Sequence, residues 1–489
     1  MQDGFFSSQS FSAQISDATS VSDATEFTKC PCKECCVVNE YTGFTECHFG
    51  TAGPLCAVCQ KEPVRYHRQL DDTCVLCPQE SIADFLKEQT LQFVTIGLIA
   101  LVVTGLMAMD ARSEWRFGRK VQMHVQGMQR RFVAKGKIMV NFGQIVTLFE
   151  KVYAVHFPPI FKDFLASLAF FNIDFFRWVP MDCYVDFNFY TSLVISTLCF
   201  LGLVLLAVVM NVMKGRLAAS SNTFVASMGK RANTFVTGVL IIAFAIYPAL
   251  SAKIFATFNC QSVAGDARSP LRADYSIDCN DAKHKYYEFF AIVMVLLISV
   301  GTPLTYLILL YQNHDAIHVG DRRVEHLKFL CQDYRPECWY WEGEFTCDAR
   351  RRMCTFHHIF LTLLSPPPLP RIVPVVETSR KLVLTGFAVF FAQGAFLQLI
   401  VNLGVTMVFG MWLAKVKPYK IATDQQYGQL ESVMLLLFMF AALLLEMDKN
   451  MTQMENMAGK SGFKMKMQGY SSTALAYCLV GLVVTVLGR

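Results

Sequence analysis

Long apolar runs separated by short polar or basic segments set the pattern of this chain. A membrane helix needs about 20 predominantly apolar residues, and TFVTGVLIIAFAIYPALSAKIFATF, from Thr234 to Phe258, has that length. Just beyond it a polar loop opens at Cys260 and closes at Cys279. Two cysteines bracketing such a loop suggest a disulfide, and disulfides persist on the lumenal or extracellular side. The threading of the chain follows from that expectation.

The other runs are Leu91 to Met109, Ile138 to Phe157, Phe189 to Met213, Tyr287 to Tyr311, Leu382 to Ala414, Leu430 to Met447 and Ser472 to Leu487. Leu382 to Ala414 is too long for one crossing and has basic residues at both ends, Arg380 and Lys381 before it and Lys415, Lys417 and Lys420 after it. It therefore reads as a tight helical hairpin. Ile138 to Phe157 is interrupted by Glu150 and Lys151, so it is either an amphipathic helix lying on the surface or a helix facing the bundle with an internal ion pair. Pro158 and Pro159 end it, and the aromatic-rich stretch to Cys183 reads as re-entrant or interfacial. Pro248 is expected to kink the Thr234 helix, and Lys253 to snorkel outward.

Charge then orients the pattern. The segment after Met109 carries Arg112, Arg116, Arg119, Lys120, Arg130, Arg131, Lys135 and Lys137 against Asp110 and Glu114. Positive residues stay in the cytosol, which agrees with the placement of Cys260 and Cys279. The count is nine crossings, with the N-terminus outside and the C-terminus inside. The composition fits: 53% of the 489 residues are hydrophobic and only 17% charged, against about 25% charged in an average soluble chain. The expected fold class is an all-α polytopic membrane protein with a small disulfide-rich N-terminal module, located in the plasma membrane or an endomembrane. The formal net charge of +5 gives nucleic acid no support as a partner. The partner expected first is the lipid bilayer.

Cysteine usage adds the module. Residues 1 to 29 read as a disordered leader without a signal-peptide pattern. Nine cysteines then fall between Cys30 and Cys77, where aliphatic residues are too sparse for a conventional core, so crosslinks must hold residues 30 to 80. The odd count favours a module truncated at its start. Cys47, Cys56, Cys59, Cys74 and Cys77 are disulfide candidates beside Cys260 and Cys279. The pairs Cys56-x2-Cys59 and Cys74-x2-Cys77 also have zinc-ribbon spacing, but on an outer face oxidation is the stronger expectation.

Few residues suggest chemistry. The chain lacks the nucleophile elbow, metalloprotease, phosphate-loop and dinucleotide motifs, so neither an enzyme nor a cofactor is expected. Glu150 and Lys151 are the ionisable intramembrane candidates, and Gln144, Gln393, Gln398 and Asn402 are polar groups suited to bonding between helices. Asn450 begins the sequon Asn450-Met451-Thr452 in a polar segment, Asp448 to Tyr470, expected outside.

Several stretches resemble one family. They are TECHFGTAGPLCAVC (Thr45 to Cys59), IYPALSAKIFATFNC with LRADYSIDC (Ile246 to Cys279), and VGTPLTYLILL (Val300 to Leu310). FLCQDYRPECWYWE (Phe329 to Glu342), ETSRKLVLTG (Glu377 to Gly386) and KPY (Lys417 to Tyr419) complete the set. Together they resemble multi-pass proteins of protists and algae in which an EGF-like cysteine-rich ectodomain precedes a membrane region similar to transient receptor potential (TRP) channels. Fungal TRP-like and flavin-carrier proteins are more distantly similar. The resemblance implies a TRP-like cation channel or channel-related transporter, assembled from several copies of the chain. A non-conducting surface receptor or adhesion protein with an extracellular ligand, and a lipid or small-solute transporter, are the alternatives. In the resembled pattern WYWE runs almost directly into ETSRKLVLTG. Here Gly343 to Val376 intervene, an insert that reads either as a retained intron or as a real cytosolic loop between a first membrane part, 91 to 342, and a second, 377 to 489.

Overall fold

The computed structural model describes residues 5–6, 28–29, 36–38, 45–68, 73–77, 119–153, 155, 157–168, 171, 181–184, 187–217, 223–261, 268–313, 316–317, 322–334, 373–386, 396–457 and 472–487. Leu91 to Met109, Gln393, His357, His358 and most of the insert lie outside them.

The described chain is mostly helical. Its helices are α1 (Arg119–Tyr153), α2 (Pro159–Ser167), α3 (Phe189–Leu217), α4 (Thr223–Ala256), α5 (Ala282–Met294), α6 (Gly301–Gln312), α7 (Val373–Thr385), α8 (Phe396–Val416), α9 (Ala422–Met457) and α10 (Ser472–Leu487). Helices α5 and α6 are one rod, joined by a π-helical turn over Val295–Val300. Five stretches are long and apolar enough to cross a membrane: Phe189–Met213, Ala232–Ala256, Ala282–Gln312, Leu397–Val416 and Ala422–Met447. Leu475–Leu487 is apolar but shorter. The outward faces of α3, of the rod formed by the π turn and α6, and of α8 carry exposed Leu205, Val208, Leu296, Leu304, Met407 and Val408, as a surface facing lipid rather than water would.

Helix α1 settles one of the alternatives left by the sequence. All of residues 141–149 are buried, and Phe142, Ile145, Phe149 and Tyr153 join the main core with Phe438 of α9 and Leu479 of α10. It is a central helix, not one lying on a surface. Glu150 and Lys151 are on it, but their side chains are outside the described residues. Helix α2 packs Phe161 and Leu165 into the same core.

Helix α9 continues to Met457, ten residues past the expected end of its apolar run. Asn450 therefore sits on a helix and not in a loop. Helix α7 likewise begins at Val373 rather than Glu377, so the last four residues of the insert are helical, and Val375 and Val376 pack against core clusters.

The cysteine-rich part is built from two-residue and three-residue strands. Strand β1 (Cys36–Val38) pairs with β2 (Thr45–Cys47), β3 (Thr51–Ala52) with β4 (Val58–Cys59), and β5 (Tyr66–Arg68) with β6 (Cys74–Leu76), all antiparallel. Sheets this small are not stable alone, and disulfides hold them: Cys47 to Cys56 and Cys59 to Cys74. Cys77 leaves the module and bonds to Cys183, 106 residues on. The ninth cysteine of the module thus has its partner elsewhere in the chain. A further hairpin, β7 (Pro270–Leu271) with β8 (Asp274–Asp278), lies between α4 and α5 and is closed by the Cys260 to Cys279 disulfide. Its Tyr275 packs on Leu55 and Ala57 of the module.

Candidate functional site

Helix α7 carries the site. It is 13 residues long, and five of its polar side chains, Glu377, Thr378, Arg380, Lys381 and Thr385, are buried. Pro374 in its first turn is compatible with a helix start. Gly386 ends it by packing against α4, where an added Cβ would lie 2.5 Å from the ring of Phe255. Because the helix is enclosed on several sides, its polar residues point to different neighbours.

Glu377 faces two phenols. Tyr334 donates to Oε2 at 2.9 Å and Tyr419 donates to Oε1 at 2.7 Å. The two tyrosines also form an isolated antiparallel bridge with each other. Burial first, and the Glu377 charge second, push both hydroxyls well above the usual tyrosine range, so they remain proton donors to the carboxylate. Beside them Lys137 of α1 pairs with Asp333 at 2.5 Å and donates to the Phe329 carbonyl. Lys420 donates to the Gln332 carbonyl at 2.8 Å.

Arg380 turns the other way. Its Nη2 donates to Glu431 Oε1 of α9 at 3.0 Å, with both side chains 4% exposed or less, and its guanidinium lies 3.9 Å from the Phe409 ring centroid of α8. Its Nε and Nη1 have no acceptor among the described residues. On α8, Asn402 donates to the Gln398 carbonyl one turn back, and its own Oδ1 has no donor among the described residues.

Lys381 points at α1 and α4. Its Nζ donates to Gln144 Oε1 at 3.1 Å and lies 4.1 Å from the Phe244 ring centroid. Gln144 in turn donates to the carbonyls of Ala245 at 2.6 Å and Phe171 at 3.2 Å. A proline inside a helix frees carbonyls in the preceding turn; Pro248 is within α4, and Gln144 supplies a donor at that turn. Across from it, Tyr247 donates to the Ser299 carbonyl at 2.8 Å and Ser299 to Ser251 at 3.2 Å. Ser299 is in the π turn, so two helix irregularities face each other through hydrogen bonds. Such turns often mark functional sites.

Of the polar residues singled out in the sequence, the structure brings Gln144 into this seam and lets Gln398 donate to the Val152 carbonyl at 3.5 Å. Asn402 bonds within its own helix. Arg380 and Lys381, read as a basic flank outside the membrane run, are instead buried, because Glu431 and Gln144 receive them. Lys253 donates to Ser192 at 2.9 Å as well as lying near the end of α4. The signal missed was that FLCQDYRPECWYWE, ETSRKLVLTG and KPY, three separate stretches, supply Tyr334, Glu377, Arg380, Lys381 and Tyr419 to one cluster.

The zinc-ribbon spacing has no free ligands to offer. Cys56, Cys59, Cys74 and Cys77 are each in a different bond or bonded to one another: Cys47 takes Cys56, Cys59 takes Cys74, and Cys183 takes Cys77.

Comparison with known proteins gives little to set beside this geometry. A 127-residue stretch, 24% of the chain, is 27% identical to Cysteine repeat modular protein A of Toxoplasma gondii, of which it covers 4%. No family model matches the chain. No solved structure matches it either.

Proposed function

We propose that the chain is a TRP-like cation channel or channel-related transporter of nine crossings, with the cysteine-rich module on the lumenal or extracellular side. One observation carries the reading: two cations and two carboxylates, Arg380, Lys381, Glu377 and Glu431, are enclosed among long apolar helices. Ionisable groups at such positions are expensive, and their default role is in an ion or substrate path or in the movement that opens one. The Pro248 turn and the π turn beside them supply the place where the helices bend. The disulfides support the orientation, since Cys77, Cys183, Cys260 and Cys279 need an oxidising compartment.

The test is cation flux into liposomes holding purified protein, beside empty liposomes. The wild-type chain is expected to conduct. Lys381→Met and Glu377→Gln, which lie about one turn apart on α7, are expected to change the flux at least tenfold in either direction. A silent wild-type chain with its disulfides intact would replace this reading with a second one, a receptor. That reading is favoured by the covalent attachment of the module to the helical part through Cys77 and Cys183.

A further inference from the structure

Beside the disulfide that closes the β7 to β8 hairpin stands a histidine that the charged seam does not use. His284, in the first turn of α5, is 1% exposed. Its Nε2 is 3.8 Å from Cys260 Sγ, and its Nδ1 is 2.8 Å from the Tyr190 hydroxyl of α3. Both sulfurs and a ring nitrogen of His284 lie within 4.8 Å of one another. We propose that Cys260, Cys279 and His284 form a latent site for a thiophilic divalent cation such as zinc, masked while the two cysteines are oxidised and opened by reduction.

The donor set suits the ion. Two thiolates and a neutral imidazole make a charge-neutral site with a divalent cation, and zinc accepts these ligands with one tetrahedral position left for water. The sulfurs would move apart to roughly 3.8 Å, twice the zinc to sulfur bond projected at the tetrahedral angle. Hairpin strands of two and five residues can accommodate that shift. Tyr190 fixes the ring from its far side, leaving Nε2 toward the sulfurs, the arrangement by which outer partners orient metal-binding histidines. It is held by its own stacking on Tyr287, with centroids 3.9 Å apart.

Access and electron balance are also met. Cys260 is exposed whereas Cys279 is buried, so a reductant reaches the first sulfur. A small or protein dithiol gives two electrons and two protons: the S–S bond breaks, two S–H bonds form, and the dithiol becomes a disulfide. The cation then displaces the two thiol protons to solvent. In both states the end of α4 stays joined to the start of α5, first by a covalent bond and then by a coordinated ion.

The test uses the full chain in lipid nanodiscs, oxidised or reduced with a dithiol and desalted without oxygen, and titrated with cobalt(II) as a coloured stand-in for zinc. Reduction also frees other thiols, so the reference is the Cys260→Ser/Cys279→Ser chain. The reduced wild type is expected to show a sulfur-to-cobalt charge-transfer band exceeding that reference, reversed by zinc. His284→Ala is expected to weaken the cobalt affinity of that excess at least tenfold, and Tyr190→Phe about tenfold, while both variants still form the disulfide when oxidised. An excess band unchanged in both variants, or no excess over the reference, overturns the proposal. Should His284→Ala not fold, Tyr190→Phe carries the decision.

Discussion

At the scale of single residues, the Arg380 to Glu431 pair is the most demanding interaction in the described structure. Removing two charges from water costs several kcal/mol per ion, and a single 3.0 Å bond with a ring face beneath the guanidinium offsets only part of it. Such a pair adds little stability by being present, yet its halves cannot be separated. Glu431→Gln should therefore destabilise the protein by about 3–5 kcal/mol, because Arg380 remains buried with two further nitrogens, Nε and Nη1, that have no acceptor among the described residues. Arg380→Met combined with Glu431→Leu should recover most of that loss, since apolar groups of similar volume replace buried pairs at little cost. Denaturant unfolding in micelles followed by circular dichroism measures both. A double variant as unstable as the single one would mean that the pair holds something beyond its own charge. If flux is then lost in the stable double variant, the pair serves function rather than folding.

At the scale of elements, legibility in the sequence followed the length of the apolar run. Helices α3, α4, α5 with α6, α8 and α9 were readable because each contains an uninterrupted stretch long enough to cross a bilayer. A hairpin within Leu382 to Ala414 was expected; the end of α7 and most of α8 fall in that run, residues 387 to 395 between them lie outside the described residues, and the interior position of Arg380 and Lys381 was not expected. A rule that places basic residues outside the membrane has no knowledge of Glu431, 51 positions later, or of Gln144, 237 positions earlier. Compensation between distant residues leaves no local trace. In the sequence α7 stands out only through the expected likeness of ETSRKLVLTG to other proteins, an expectation that says nothing of where its residues point. The residue that follows α7, Gly386, gives a sharp test of close packing. A Cβ at Gly386 would meet the Phe255 ring at 2.5 Å, and Phe255 is 1% exposed and has no room to swing. Gly386→Ala should cost about 1–3 kcal/mol by overpacking. Adding Phe255→Leu should return part of that, a non-additivity that a double-mutant cycle in unfolding measurements detects.

At the scale of the whole molecule, the question is how a module with hardly any core is held against the helices. Its only described apolar cluster, Leu55, Ala57 and Tyr275, includes a residue from the β7 to β8 hairpin, so the core of the module is partly borrowed. The same hairpin reaches the helices through Asp274, whose carboxylate accepts from the Phe189 amide of α3 at 3.2 Å. The Cys77 to Cys183 bond adds a covalent attachment six residues before that amide, and it closes a loop of 106 residues. In the chain-entropy view, closing about 100 residues is worth about 4.7 kcal/mol. The prediction is that Cys77→Ser/Cys183→Ser leaves the helices folded but releases the module. Trypsin should then cut after Lys61 and Arg65 at least tenfold faster than in the wild type, by mass spectrometry of timed digests. Tyr275→Ala, which removes the borrowed core residue and keeps the bond, should accelerate the same cuts less. The order matters more than either rate. If Tyr275→Ala is the more damaging of the two, the hairpin holds the module and the disulfide only limits how far it can travel. If the cysteine variant is the more damaging, whatever acts on the module reaches α3 through Cys183, and the apolar contact merely sets its angle.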